Sequence, residues 1–235
     1  MTAILNQHEN YLQADQAYGF PLLIKNLLSR AKVVSGNKKI HYADKTSYTY
    51  HEFFKRVNRL ANVLKGLNLQ KGDVIAVMDW DTHRYLECYF AIPMCGYILQ
   101  TVNVRLSEDK VLYTINHAKP KALLLNSEFS PMIKSHTQDA PSVEHVIWLD
   151  DNNTPMPPYA QGEYEAMLAQ ASDEYEFEDF DENTIATTFY TSGTTGNPKG
   201  VFFSHRQIVL HTLVVAIDCA LNVEGQGLHY SDVDM

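Results

Sequence analysis

Cysteine is scarce in this sequence of 235 residues. There are three, Cys88, Cys95 and Cys219, and no two stand in a C-x-x-C pair. That excludes a disulfide scaffold and the common cysteine metal sites, and it leaves buried, reduced thiols as the expectation. Long apolar runs are missing too. The longest, Cys88 to Leu99, is interrupted by Pro93 and Gly96, well short of the roughly 20 residues that cross a bilayer. The opening stretch MTAILNQHENYLQADQ has no basic segment leading into an apolar one, so no secretory signal is expected and the chain reads as cytoplasmic. Positive charge is in the minority: 19 Lys and Arg stand against 28 Asp and Glu, for a formal charge of -9. A general nucleic-acid binder needs clustered cations, so that class is excluded, whereas a small anionic ligand needs only a local site.

What is present is an ordinary globular composition, 45% hydrophobic and 20% charged, long enough to bury a core. In TYHEFFKRVNRLANVLKGL, residues Tyr50, Phe53, Phe54, Val57, Leu60, Ala61, Leu64 and Leu67 recur at helical spacing. Thr49 and Glu52 predict a capping box, and Gly66 marks the far end. In SHRQIVLHTLVVAIDCALN, Ser204 and Gln207 repeat that capping pattern, and Val209, Leu213, Ala216, Ile217 and Ala220 make one apolar face. Between these helices, VIAVM (74–78), YILQT (97–101), ALLL (122–125) and HVIWL (145–149) read as strands. They alternate with helices over THRYLECYFAIPMCG, SEDKVLYTINHA and SPMIKSHTQ, the last capped by Ser130 with Pro131 at its first position. Such alternation calls for an α/β fold, a mostly parallel sheet flanked by helices on both faces. Residues 151–163 read as a surface connection. DEYEFEDFDE (173–182) carries seven carboxylates and reads as a solvated linker, since it has no calcium-loop turn pattern.

The strand TIATTFYT runs into SGTTGNPKG and then VFF, which places a glycine- and hydroxyl-rich loop between two strands. Glycines let backbone N–H groups approach a ligand closely. Thr191, Ser192, Thr194 and Thr195 add hydroxyls and Lys199 a point charge, which together suit phosphate better than a merely flexible turn. A Walker loop is excluded, because Lys199 is followed by Gly200 and a strand instead of Ser or Thr and a helix. His205 and His211 are six residues apart, not at the spacing of paired zinc ligands on one helix face, and His205 reads as a packing residue.

YTSGTTGNPKGVFFSHRQIVLH resembles the phosphate loop of the adenylate-forming superfamily, which embraces acyl-CoA synthetases, luciferases and peptide-synthetase adenylation domains. SYTYHEFFKRVNRLANVLKGLNLQKGDVIAVM is similar to that family's first helix and strand. HRYLECYFAIPMCGYILQTVNVRLSEDKVLYTINHAKPKALLLN resembles its bacterial medium- and long-chain fatty-acyl-CoA synthetase branch, whose pattern Asn103 and Arg105 also match.

The resemblance implies the N-terminal portion of the large domain of such an enzyme, with a first subdomain over 1–170 and the start of a second over 171–235. ATP would be gripped by Thr191, Ser192, Gly193, Thr194, Thr195, Gly196 and Lys199, with Thr191 also near Mg2+. A fatty acid and CoA would be the other small-molecule substrates, and a homodimer is compatible with the family. The resemblance also implies that the chain stops short of the family's acyl-pocket residues, its magnesium glutamate, its ribose aspartate and its mobile C-terminal domain with the adenylation lysine. The 235 residues alone are accordingly expected to be inactive. Two other readings stay open: a ligase for an aromatic or short-chain acid, and a non-catalytic nucleotide-binding or interaction module.

Overall fold

A computed structural model describes residues 19–191 and 196–222. Helix α1 (Ile24–Val34) precedes an antiparallel hairpin of β1 (Lys39–Tyr42) and β2 (Thr46–Thr49). Then follow α2 (Tyr50–Gly66), β3 (Val74–Met78), α3 (His83–Met94), β4 (Ile98–Thr101), α4 (Glu108–Ala118), β5 (Ala122–Asn126), α5 (His136–Asp139) and β6 (His145–Leu149). The chain continues through β7 (Gly162–Glu163), α6 (Tyr164–Gln170), β8 (Ile185–Thr191), β9 (Lys199–Ser204) and α7 (His205–Asn222). Among the described residues, seven strands form one sheet in the order β7-β6-β5-β3-β4-β8-β9. Every neighbouring pair in it is parallel except β8 with β9. This is the mostly parallel, helix-flanked α/β sheet that the alternation predicts. Residues on both sides of position 171 contribute to it, because β8 pairs directly with β4.

The two faces of the sheet carry separate cores, since successive strand residues point to opposite sides. Ile75, Val77, Leu99, Leu124, Ile147 and Ala186 pack toward α1, α2 and α3. Ala76, Met78, Leu123, Leu125, Val146 and Trp148 pack toward α4. Burial on both faces is why these strands read as unbroken apolar runs. In α2, Phe53, Val57, Leu60, Ala61 and Leu64 are buried at the expected spacing. The capping box there is only half formed. The Glu52 N–H donates to Thr49 Oγ1 at 3.2 Å, but the Glu52 carboxylate accepts from Arg59 at 2.9 Å and does not return to Thr49. At α7 the box closes both ways: Gln207 N–H donates to Ser204 Oγ at 3.3 Å and Ser204 N–H to Gln207 Oε1 at 2.9 Å.

Four local expectations need correction. The helix over 130–138 is instead a 3-10 turn, Ser127–Met132, followed by the short α5. Asn126 caps the turn by accepting from Glu128 N–H at 2.9 Å, a stronger start signal than Ser130. The acidic stretch 173–182 is not simply solvated. Its alternation turns Tyr175 and Phe177 onto the core while its backbone is tied to Asn58, Asn62 and Lys25 at 2.6 to 2.9 Å. Lys25 also pairs with Asp179, and Lys71 with Glu178. On α7, Val209 is buried, but Leu213 and Ile217 of the expected apolar face are 45% and 57% exposed. Ala220's side chain lies outside the described residues. Cys88 and Cys95 are buried as expected, whereas Cys219 on α7 is exposed.

Candidate functional site

Strand β8 sits between β4 and β9 and ends at Thr191, on the edge where β3, β4, β5 and β6 also end. In parallel sheets that edge is where ligands bind. Strand β9 then returns antiparallel, so Thr191 faces Lys199 and Tyr190 faces Gly200 across the stem of the loop. Thr191 and Lys199 are exposed, Pro198 between them and the turn is buried, and Thr191 Oγ1 makes a long 3.5 Å contact with the Lys199 carbonyl. Among the described residues Lys199 forms no ion pair. Gly196 has φ +106°, and among the described residues nothing lies within 4 Å of where a Cβ would stand. That conformation strains any L side chain, and the space beside it is open. Thus Thr191, Gly196 and Lys199 occur at one loop mouth, while Ser192, Gly193, Thr194 and Thr195 lie outside the described residues.

This mouth suits nucleotide phosphates: an exposed hydroxyl, an exposed ammonium and a glycine that leaves room for a ligand. Magnesium fits only as a phosphate-borne ion. Among the described residues no cluster of three His, Cys, Asp or Glu is placed to hold a metal, and Mg2+ commonly keeps water and phosphate with one or two protein oxygens. The Thr191 hydroxyl is one such oxygen.

Behind the stem lies an apolar cavity of about 500 Å³ between α1, α3, β4, β8 and α7, lined by Ile24, Leu28, Phe90, Leu99, Thr187 and Ile208 among others. Alternate residues of a strand share a face, so Thr187, Phe189 and Thr191 form a line from cavity to loop, about 13 Å along β8. Phe189 stacks on Phe203 of β9 along that line, with ring centroids 5.8 Å apart.

His205 begins α7 below this strand pair. It is fully buried, its Nδ1 accepts from Ile24 N–H at 3.3 Å, and Phe180 meets its ring edge-on at 5.0 Å. Burial lowers its pKa from the ordinary 6.5 to about 4. The folded protein therefore holds the neutral ring, while the unfolded chain gains a proton near pH 6.5. Stability should be full above that pH and fall by about 3 kcal/mol as the pH drops from about 6.5 to about 4. Urea midpoints across this range should show the decline, and His205→Gln should flatten it; an unchanged slope in the variant would assign it to other groups.

Polar groups that the sequence did not single out form a network behind the sheet edge. Buried Glu87 accepts from Arg56 Nε at 2.6 Å, from Tyr48 Oη at 2.8 Å and from Tyr164 Oη at 2.6 Å. Arg56 also donates to Glu165 at 2.7 and 2.8 Å. Burial opposes charge on Glu165, yet hydrogen bonds from His83 and Arg56 hold its pKa down to about 2. Buried Asp79 accepts from Thr82 and from Asn126, both at 2.6 Å, at the ends of β3 and β5. A hint was available only in retrospect: charged residues within the amphipathic spacing of α2 and α3.

Sheet order and crossover helices on both faces define a parallel α/β domain, and β8 ends on the edge where such sheets commonly bind ligands. The chain belongs to the AMP-binding enzyme family, whose model matches residues 29–233. It is 33% identical over 211 residues to the medium-chain-fatty-acid–CoA ligase of Ectopseudomonas oleovorans, a match covering 87% of this chain and 39% of that protein. It is equally 33% identical over 212 residues to the long-chain-fatty-acid–CoA ligase of Thermus thermophilus, covering 88% of this chain and 37% of the relative. The chain thus spans under two fifths of the length of either relative. The crystal structure of the anthranilate CoA ligase AuaEII in complex with anthranoyl-AMP superposes with a TM-score of 0.77 at 23% identity, over 85% of this chain and 38% of that one. Among the described residues no helix is long and apolar enough to cross a membrane.

Proposed function

We propose that these residues form the ATP-gripping part of a fatty-acid–CoA ligase. The observation that carries the reading is the Thr191–Lys199 rung at the carboxyl end of β8, which presents a hydroxyl and an ammonium at a turn with open space beside Gly196. A carboxylate is a poor electrophile. In the proposed reaction its oxygen attacks the α-phosphorus of ATP, the bond to the β-phosphate oxygen breaks, and pyrophosphate leaves. The CoA thiol, giving up its proton to solvent, then attacks the acyl carbon, the bond from that carbon to the phosphate oxygen breaks, and AMP departs with its electron pair. Negative charge grows on the departing pyrophosphate, so donors already aimed at it lower the barrier. Thr191 to Gly196 and Lys199 supply those donors, and Mg2+ bound to the phosphates beside Thr191 would add charge neutralisation.

The apolar cavity, lined by Leu28, Phe90, Leu99 and Thr187 among others, suits an aliphatic tail. The two fatty-acid ligases among the relatives agree with that choice. CoA as acceptor, a cytoplasmic setting and a first subdomain ending near residue 170 belong to the same proposal. Calorimetric titration of the chain is its test. ATP and pyrophosphate should each bind, and decanoate should bind more tightly than benzoate. No heat at millimolar nucleotide would leave only an interaction module, and a preference for benzoate would move the substrate class to aromatic acids.

A further inference from the structure

Helix α4 meets the stem of the loop from the side, through one contact to β8. Tyr190 lies one residue before Thr191 and pairs across the hairpin with Gly200, one residue after Lys199. A Cβ at Gly200 would stand 3.4 Å from two atoms of the Tyr190 ring. The ring therefore lies over the glycine at contact distance. The Tyr190 hydroxyl meets His117 Nδ1 at 2.8 Å, and the two rings cross edge-to-face at 88° with centroids 5.7 Å apart. His117 in turn stacks on Tyr113, one turn earlier in α4, at 5.7 Å and 29°. Burial of the Tyr190 phenol raises its pKa.

We infer that His117 is a positioning residue for the phosphate loop. Through Tyr190 it clamps the last rungs of the β8–β9 hairpin against α4, and so fixes where Thr191 and Lys199 present their donors. The geometry favours this over simple surface packing. The hydrogen bond joins two elements 73 residues apart, and it ends on the residue adjoining the first loop hydroxyl. On the opposite face of β8, Thr187 lines the cavity and Phe189 stacks on Phe203. A ligand that needs Thr191 and Lys199 at a fixed separation gains from such rigidity, because less ordering remains to be done on binding. The inference rests on the reading of the loop as a phosphate grip.

Two measurements on the 235-residue chain separate the inference from that reading. His117→Phe keeps the stack on Tyr113 and removes the hydrogen bond; Tyr190→Phe keeps the ring over Gly200 and removes the hydroxyl. Amide hydrogen exchange at Thr191 and Gly200 should quicken about fivefold in each variant, the worth of one hydrogen bond. Pyrophosphate affinity by calorimetry should fall by a similar factor. The double variant should be no worse than either single one, since both remove the same bond. His117→Asn, whose amide reaches the position of Nδ1, should recover most of the loss. Unchanged exchange in the single variants, or additive losses in the double, would overturn the clamp. Failure of the unaltered chain to bind pyrophosphate would overturn the reading of the loop, while the exchange rates would still decide whether the clamp exists.

Discussion

Arg56→Leu is expected to cost about 3–5 kcal/mol of stability, the usual penalty for leaving a buried charge without its partner. The side chain of Glu87 is 0% exposed and that of Arg56 14%. With Arg56 gone, the carboxylate keeps only the hydroxyls of Tyr48 and Tyr164, two neutral donors for a full charge inside the core. The melting temperature should fall by roughly 10 °C for a chain of this size. Loss of the Arg56–Glu165 bonds adds less, because Glu165 is 40% exposed and water can replace them. The cause is testable apart from the size. Replacing both partners, as Arg56→Met with Glu87→Met, should recover much of the loss, since it is the orphaned charge that is costly. A melting temperature within about 2 °C of the parent in Arg56→Leu would show that water reaches Glu87 and that the network contributes little.

Lys199→Met should weaken ATP and pyrophosphate binding by about tenfold to a hundredfold, the range expected for a charge-assisted hydrogen bond to phosphate. The folded protein should barely notice. Lys199 is exposed and forms no ion pair among the described residues, so a stability change beyond about 0.5 kcal/mol is not expected. That separation makes the variant informative: affinity moves and stability does not. Added salt should weaken binding in the parent and do so less in Lys199→Met, because one attractive charge has been removed. Equal affinity in parent and variant would remove the ammonium from the phosphate grip and shift the burden to the hydroxyls and backbone of the loop.

The strands were legible because burial on both faces demands unbroken apolar residues, as in Val74–Met78 and Ala122–Asn126. Helix α2 was legible because its buried residues recur at helical spacing. The β1–β2 hairpin was not. Its strands KIHY and TSYT are four residues each and only partly buried, so they carry too little apolar pattern to stand out. Helix α1 escaped for a related reason: Leu23 and Ile24 are buried, but Val33 and Val34 are largely exposed, which blurs the stripe. The apolar face predicted for α7 is real in sequence, yet beyond Val209 nothing among the described residues covers it.

Local chemistry alone determined the alternation of strand and helix, the glycine- and hydroxyl-rich turn and the absence of a Walker sequence, because each depends on neighbours along the chain. Tertiary structure alone decided that β8 lies beside β4, which carries Thr191 and Lys199 to the edge where four other strands end. It also decided that Glu87 meets Arg56 across two helices and that His117 meets Tyr190 across 73 residues. Such meetings follow from the order of strands in a sheet. That order is set by how whole helices pack against it, and short-range sequence patterns carry no record of it.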